Sequence, residues 1–171
     1  AFVMVRANDI LPAQWVVILY TAFNLIYAFL ATPAGKLADH FGKQRIVTIG
    51  LSILLLVSVS LALPLQSIGL GSVIMVVLFV LFGIYMAITD TGSKAFVSDI
   101  TGKNKKGRIY GLYYLLVGIL SIFESTFFGF LYYAVGYYAA FGFSSTLLLI
   151  CIIIFATADF TGKKNSANEE K

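Results

Sequence analysis

Charge is what this sequence is short of. Asp, Glu, Lys and Arg make up 12% of its 171 residues, against roughly 25% in soluble domains. Hydrophobic residues make up 60% and the mean hydropathy is +0.93. A water-soluble fold of this size has nowhere to hide so much apolar surface, so most of the chain belongs in a lipid bilayer. The single cysteine, Cys151, excludes an intrachain disulfide and reads as a small packing residue in an apolar run. The single histidine, His40, has no companions at metal-ligand spacing. No glycine-rich phosphate loop and no Ser/His/Asp or Cys/His set is visible, so neither an enzyme nor a bound cofactor or metal is expected. A net charge of +4 does not indicate nucleic acid, because the cations are scattered between apolar runs. The opening AFVMVRANDI has neither an initiator Met nor a basic n-region. It reads as the end of an apolar segment already under way, so an upstream portion is expected.

What is abundant is long apolar runs. Five can span a bilayer as helices: residues 13–34, 46–65, 68–91, 109–131 and 137–158. Helix is the expected form, because lipid forces backbone groups to pair within the segment. All but one of the 12 Lys and Arg residues fall in 35–45, 92–108 or the tail after 158. Those three segments are alternate connections, so they share one side, and the positive-inside rule makes that side cytoplasmic. The C-terminus is then cytoplasmic, and the polar stretch 159–171 reads as a tail. Tyr110, Tyr113 and Tyr114 mark one membrane surface, and Tyr132, Tyr133, Tyr137 and Tyr138 the other.

Charges inside a span are costly and ask for a reason. Two acidic residues qualify. Glu124 lies about 22 Å along the fourth span from its basic end, with no cation on its own helix within a turn. It is either a proton-coupling or cation-binding group, or a carboxyl held by a neighbouring helix. Asp90 has Lys94 four residues on, a favourable helical spacing. It is either half of a local ion pair or part of a gating or binding site. In the first span Tyr20, Asn24 and Tyr27 share a face, as interhelical hydrogen bonders or cavity lining. Gly118, Ser121, Ser125 and Gly129 suit close helix approach on the fourth span, as do Gly83 and Ala87 on the third. The second and fifth spans carry only hydroxyls, Cys151 and apolar groups. The first, third and fourth are therefore expected to face inward, the second and fifth toward lipid.

The most charged connection is GKLADHFGKQR, residues 35–45. It resembles the cytoplasmic loop signature of the major facilitator superfamily, roughly G-x-L-A-D-R-x-G-R-R-x. Gly35, Leu37, Ala38, Asp39, Gly42 and Lys43 match. His40 and Gln44 stand where a basic residue is usual, with Arg45 displaced by one. The stretches LFGIYMAITDTGSKAFVSDI and GRIYGLYYLLVGIL look like the tenth and eleventh helices of bacterial members. The resemblance covers nearly the whole chain. The chain could be the first half of such a protein or the second, and the polar tail and these two stretches favour the second.

The resemblance implies an all-α helical bundle, one six-helix half with its first helix truncated. Helices seven, eight, ten and eleven would border a central cavity, and nine and twelve would be peripheral. Gly35 and Gly42 are expected to allow tight turns at helix ends. Asp39 is expected to accept hydrogen bonds from an exposed helix N-terminus, and Lys43 and Arg45 to hold the loop at the membrane face. In the family such contacts latch the inner gate and break as the halves rock. The expected function is a secondary transporter in a bacterial or archaeal plasma membrane. It would move a small-molecule substrate by alternating access with proton coupling, and its partner would be the missing N-terminal half. Glu124 is the expected coupling group, with Asn24, Asp90, Tyr20 and Tyr27 along the path. The rival is a truncated or non-transporting membrane scaffold.

Overall fold

The computed structural model describes residues 2–65, 70–100 and 106–157. Lys103, Lys105, the tail lysines and the polar stretch 159–171 lie outside them. The described chain forms six helices: α1 (Phe2–Asn8), α2 (Ala13–Phe41), α3 (Lys43–Ala62), α4 (Gly71–Ile100), α5 (Lys106–Ala134) and α6 (Tyr137–Thr157). No strand occurs among the described residues. The five helices from α2 to α6 are each long and apolar enough to cross a membrane, in the places the apolar runs indicated.

The boundaries differ from the sequence expectation in an informative way. Apolar content says where lipid lies, whereas a helix runs on until the backbone is interrupted. The charged stretches after residues 34 and 91 contain no helix breaker strong enough to stop it. α2 therefore reaches Phe41 and α4 reaches Ile100. At 29 residues α2 is about 43 Å long, well beyond the roughly 30 Å hydrocarbon core. The expected loop 35–45 is not a loop. Gly42 alone separates α2 from α3, at φ 93 and ψ 131. Gly35 makes no turn either: it lies inside α2, where an added Cβ would sit 3.3 Å from Thr91 of α4.

α4 is central, packed against both α2 and α3, and α3 also packs against α6. α5 leans on α6 and touches α4 lightly. The buried core joins Val16, Leu19 and Phe23 of α2 with Val57 and Leu61 of α3, Met75, Leu78 and Phe79 of α4, and Phe141 of α6. Two features depart from the sequence expectation. α3 is not simply lipid-facing, since Ile46, Val47, Gly50, Val57, Ser58 and Leu61 are buried against neighbours. Ser145 Oγ of α6 donates to Ser58 Oγ at 3.0 Å and Ser58 Oγ to the Phe141 carbonyl at 3.2 Å. Hydroxyls thus tie α3 to α6 as well as bonding their own helices.

Small residues set the spacing around α4. An added Cβ on Gly83 would lie 3.1 Å from the Phe23 carbonyl of α2, and one on Gly50 of α3 would lie 2.5 Å from Thr89 Oγ1 of α4. Overfilling a packed contact is destabilising. Gly50→Ala is expected to lose about 1–3 kcal/mol, the range for overpacking, because Thr89 Oγ1 and also Ile88 Cγ2, at 3.0 Å from the added Cβ, must both give way. A fall in the thermal unfolding midpoint of detergent-solubilised protein, absent for Gly107→Ala where a Cβ meets nothing within 4 Å, checks this.

Candidate functional site

Two side chains of the candidate set, Tyr27 and Asp90, meet Lys94 toward the basic end of the bundle. Tyr27 of α2 donates its hydroxyl to Asp90 Oδ2 at 2.6 Å, and Lys94, one turn on in α4, donates to the same oxygen at 2.7 Å. The geometry follows from packing. α2 and α4 lie close enough at Gly83 for a tyrosine on α2 to reach across, and the four-residue step stacks Lys94 over Asp90. The pair is half open, the Lys94 side chain being 44% and that of Asp90 33% exposed. Tyr110 of α5 donates to the Lys94 carbonyl at 2.6 Å, and Tyr114 lies within electrostatic reach of both Lys94 and Tyr27. Both contacts to Asp90 fall on Oδ2, and Oδ1 takes none among the described residues.

The remaining cavity candidates do not join this cluster. Asn24 is exposed and bonds its own helix, Nδ2 donating to the Tyr20 carbonyl at 2.7 Å. Tyr20 is exposed, with its ring against Phe23. Glu124 is exposed on α5, and among the described residues no side chain holds it by a hydrogen bond or ion pair. Tyr85 of α4 lies within its electrostatic reach. The small residues beside it do not mark a close helix crossing among the described residues. A Cβ on Gly118 would meet nothing within 4 Å, and one on Gly129 would meet only the Phe2 ring at 3.6 Å. Ser121 bonds the Val117 carbonyl of its own helix. The face of α5 that carries Glu124 is open from Leu112 to Phe127.

The charged junction has its own order. Ala38 is fully buried, and Leu37 and Arg45 point outward. Asp39 and Lys43 face each other across Gly42 at 3.8 Å, with Lys43 Nζ also donating to the Ala95 carbonyl of α4 at 3.3 Å. Gln44 Nε2 donates to the Phe155 carbonyl of α6 at 2.7 Å. The expected contact between Asp39 and a helix N-terminus is replaced by this ion pair, and α3 begins without a side-chain cap. The Asp39 side chain remains 74% exposed.

One charged residue escaped the sequence reading as a structural centre. Arg6 of α1, at the end opposite the basic one, is completely buried. Its Nη2 donates to the Leu63 carbonyl at 3.2 Å, its Nη1 lies 3.6 Å from Asp9 Oδ2, and its guanidinium sits 3.5 Å from the Tyr137 ring centroid. Tyr132 of α5 donates to the same Asp9 oxygen at 2.7 Å. The signal was present: an Arg in an apolar stretch with Asp three residues on, one helical turn away.

Comparison with known proteins points one way. The Major Facilitator Superfamily profile matches residues 8–171. The uncharacterized MFS-type transporter MJ1317 of Methanocaldococcus jannaschii is 32% identical over 114 residues, 67% of this chain and 27% of that protein. The uncharacterized MFS-type transporter C18.02 of Schizosaccharomyces pombe is 30% identical over 125 residues, 72% of this chain and 27% of that protein. The chain thus spans about a quarter of the length of these relatives. No solved structure matches it.

Proposed function

The chain belongs to the Major Facilitator Superfamily and is integral to the membrane, and from this we propose that it is the C-terminal half of a proton-coupled secondary transporter. It moves a small solute by alternating access against an N-terminal half. The basic end faces the cytoplasm by the positive-inside rule. The observation that carries this reading is the distribution of polar groups. Tyr27, Asp90, Lys94 and Glu124 sit on α2, α4 and α5, and α5 presents a long open face to whatever lies opposite. A transporter needs such a polar lining between its halves. The exposed Asp39 and its loose contact to Lys43 suit a latch that opens and closes at the cytoplasmic mouth.

Glu124 is the coupling group in this proposal, and Asn24, Asp90, Tyr20 and Tyr27 line the path. The test is uptake of a metabolite mixture into proteoliposomes holding the intact protein, read by mass spectrometry. At least one small solute is expected to accumulate when the outside is acid, and to stop accumulating with a protonophore. Glu124→Gln is expected to lower that accumulation about tenfold, the scale of about 1.4 kcal/mol, while exchange without a gradient continues. Full accumulation by the variant removes the coupling role. No solute moving under any gradient removes the transporter.

A further inference from the structure

α5 is the span least covered by its neighbours among the described residues: none of its most apolar stretch is buried. A helix advances about 100° per residue, so its sides can be told apart. The contacts to α4, α6 and α1 use Tyr110, which bonds the Lys94 carbonyl, Phe127, whose ring meets Phe143 at 5.2 Å, and Phe128, whose ring meets Phe2 at 4.3 Å. These lie on one half of the helix, and so does Glu124. The other half carries Arg108, Leu112, Leu115, Ile119, Ile122 and Phe130, all within about 40° of one line and all exposed. Polar groups stand at the two ends of that line, Arg108 at the basic end and Tyr133, 83% exposed, at the other, about 38 Å apart. That length falls between the roughly 30 Å hydrocarbon core and the roughly 40–45 Å full thickness of a bilayer. Between them the one polar side chain on the line is Thr126, whose hydroxyl donates to the Ile122 carbonyl of its own helix at 2.9 Å. Beneath Arg108 the line is notched. An added Cβ on Gly111 would meet nothing within 4 Å, and Arg108, Ile109, Gly111, Leu112 and Leu115 line a recess of about 470 Å³. Among the described residues no carboxylate pairs with Arg108.

We propose that this recess is the seat of an anionic phospholipid, with the Arg108 guanidinium on the headgroup phosphate and one acyl chain along Leu112, Leu115 and Ile119. A docking helix suits this line badly, because it would meet bulky side chains throughout. The small residues that favour close helix approach, Gly118, Ser121 and Ser125, lie about 80° or more from it. A lipid fits the length. Arg108 to Ile119 is about 17 Å along the axis, close to half the hydrocarbon core, which is the depth one leaflet's chains fill. Charge sets the headgroup. A guanidinium pairs with phosphate oxygens two at a time, and Arg108 has no acidic neighbour to satisfy it first. A zwitterionic lipid brings its own ammonium, which competes for the phosphate and is repelled by Arg108. A lipid whose only headgroup charge is the phosphate, such as phosphatidylglycerol, brings no such competitor. With the basic end cytoplasmic, the leaflet it meets is also the anionic one. Gly111 makes the room: a larger side chain one turn from Arg108 would occupy the volume that the glycerol and ester groups need. The bound lipid lends α5 the contacts that its own chain does not give on this side. The site needs α5 in a bilayer and does not draw on Glu124, so it stands apart from proton coupling.

The experiment is native mass spectrometry of the intact protein, released from detergent after titration with phosphatidylglycerol or with phosphatidylcholine of the same acyl chains. The first phosphatidylglycerol is expected to bind about tenfold more tightly than the first phosphatidylcholine, the scale of one charge-assisted pair. Arg108→Gln brings the two lipids to equal affinity. Gly111→Leu weakens phosphatidylglycerol with Arg108 still in place, because it fills the recess. Lys36→Gln removes an exposed cation elsewhere at the basic end and changes neither lipid. An equal loss for Lys36→Gln and Arg108→Gln means that diffuse surface charge holds the anionic lipid, and overturns the proposal. So does equal affinity of the wild type for the two lipids. So does Gly111→Leu with lipid retention unchanged, and a lower unfolding midpoint in that variant then assigns the recess to another helix. If Arg108→Gln is not recovered from the membrane, the other two variants still decide: loss with Gly111→Leu and none with Lys36→Gln supports the site.

Discussion

Asp9→Ala is expected to destabilise the protein by about 3–5 kcal/mol, the range for breaking a buried pair by removing one partner. Arg6→Met is expected to do far less. The order is the reverse of what side-chain burial alone suggests, since Arg6 is 0% exposed and the Asp9 side chain 40% exposed. Removing Asp9 leaves a fully buried guanidinium with the Leu63 carbonyl and the face of Tyr137, and no countercharge shown beside it. Removing Arg6 in favour of a side chain of similar reach leaves Asp9 partly open to solvent and still accepting from the Tyr132 hydroxyl. A carboxylate so placed is solvated, and a cation so placed is not. The double variant Arg6→Met/Asp9→Ala is expected to recover most of the loss, because neither charge then remains to be desolvated. Thermal unfolding in detergent checks all three, with a drop of about 10 °C or more for Asp9→Ala. If Arg6→Met proves the more damaging, packing of the guanidinium on Tyr137 holds this end together and the ion pair does not.

Much of the architecture was legible, and the misses share a cause. Lipid imposes a strong one-dimensional pattern, so the five spans fell near their helices. The Asp90–Lys94 contact could be read from spacing, because both residues lie on one helix and a helix fixes which residues are neighbours. What could not be read was anything depending on a second helix. Nothing in the sequence brings Tyr27 to Asp90 across 63 positions. The small residues of α5 read as a packing face, yet among the described residues they pack against almost nothing. The same three- and four-residue steps on α4 and α5 have opposite fates, because Gly83 meets α2 and Gly118 meets none of these helices. Helix ends were the other weakness. Charged residues outside lipid continue a helix as readily as apolar ones inside it, so the junction 35–45 was mistaken for a loop.

That junction carries the second large effect. Gly42→Val is expected to destabilise the protein by up to about 3 kcal/mol, the upper end for a non-glycine residue forced into a sparsely allowed conformation. Space has no part in it, since a Cβ at Gly42 would meet nothing within 4 Å. The penalty lies in the backbone, at φ 93 and ψ 131. Asn, which tolerates the left-handed helical well, is not expected to rescue the position, because that well lies at ψ of about 30–60°. Relief requires unwinding the last turn of α2 or the first of α3. Either change moves Lys43 away from both Asp39 and the Ala95 carbonyl, and Gln44 away from the Phe155 carbonyl. The side chains that suit a latch are thus registered by one glycine between two long helices. Thermal unfolding separates the possibilities. Equal losses for Gly42→Val and Gly42→Asn support the one-residue junction. A wild-type midpoint for both means the connection is a longer, compliant loop, and Asp39 and Lys43 then lose their fixed register.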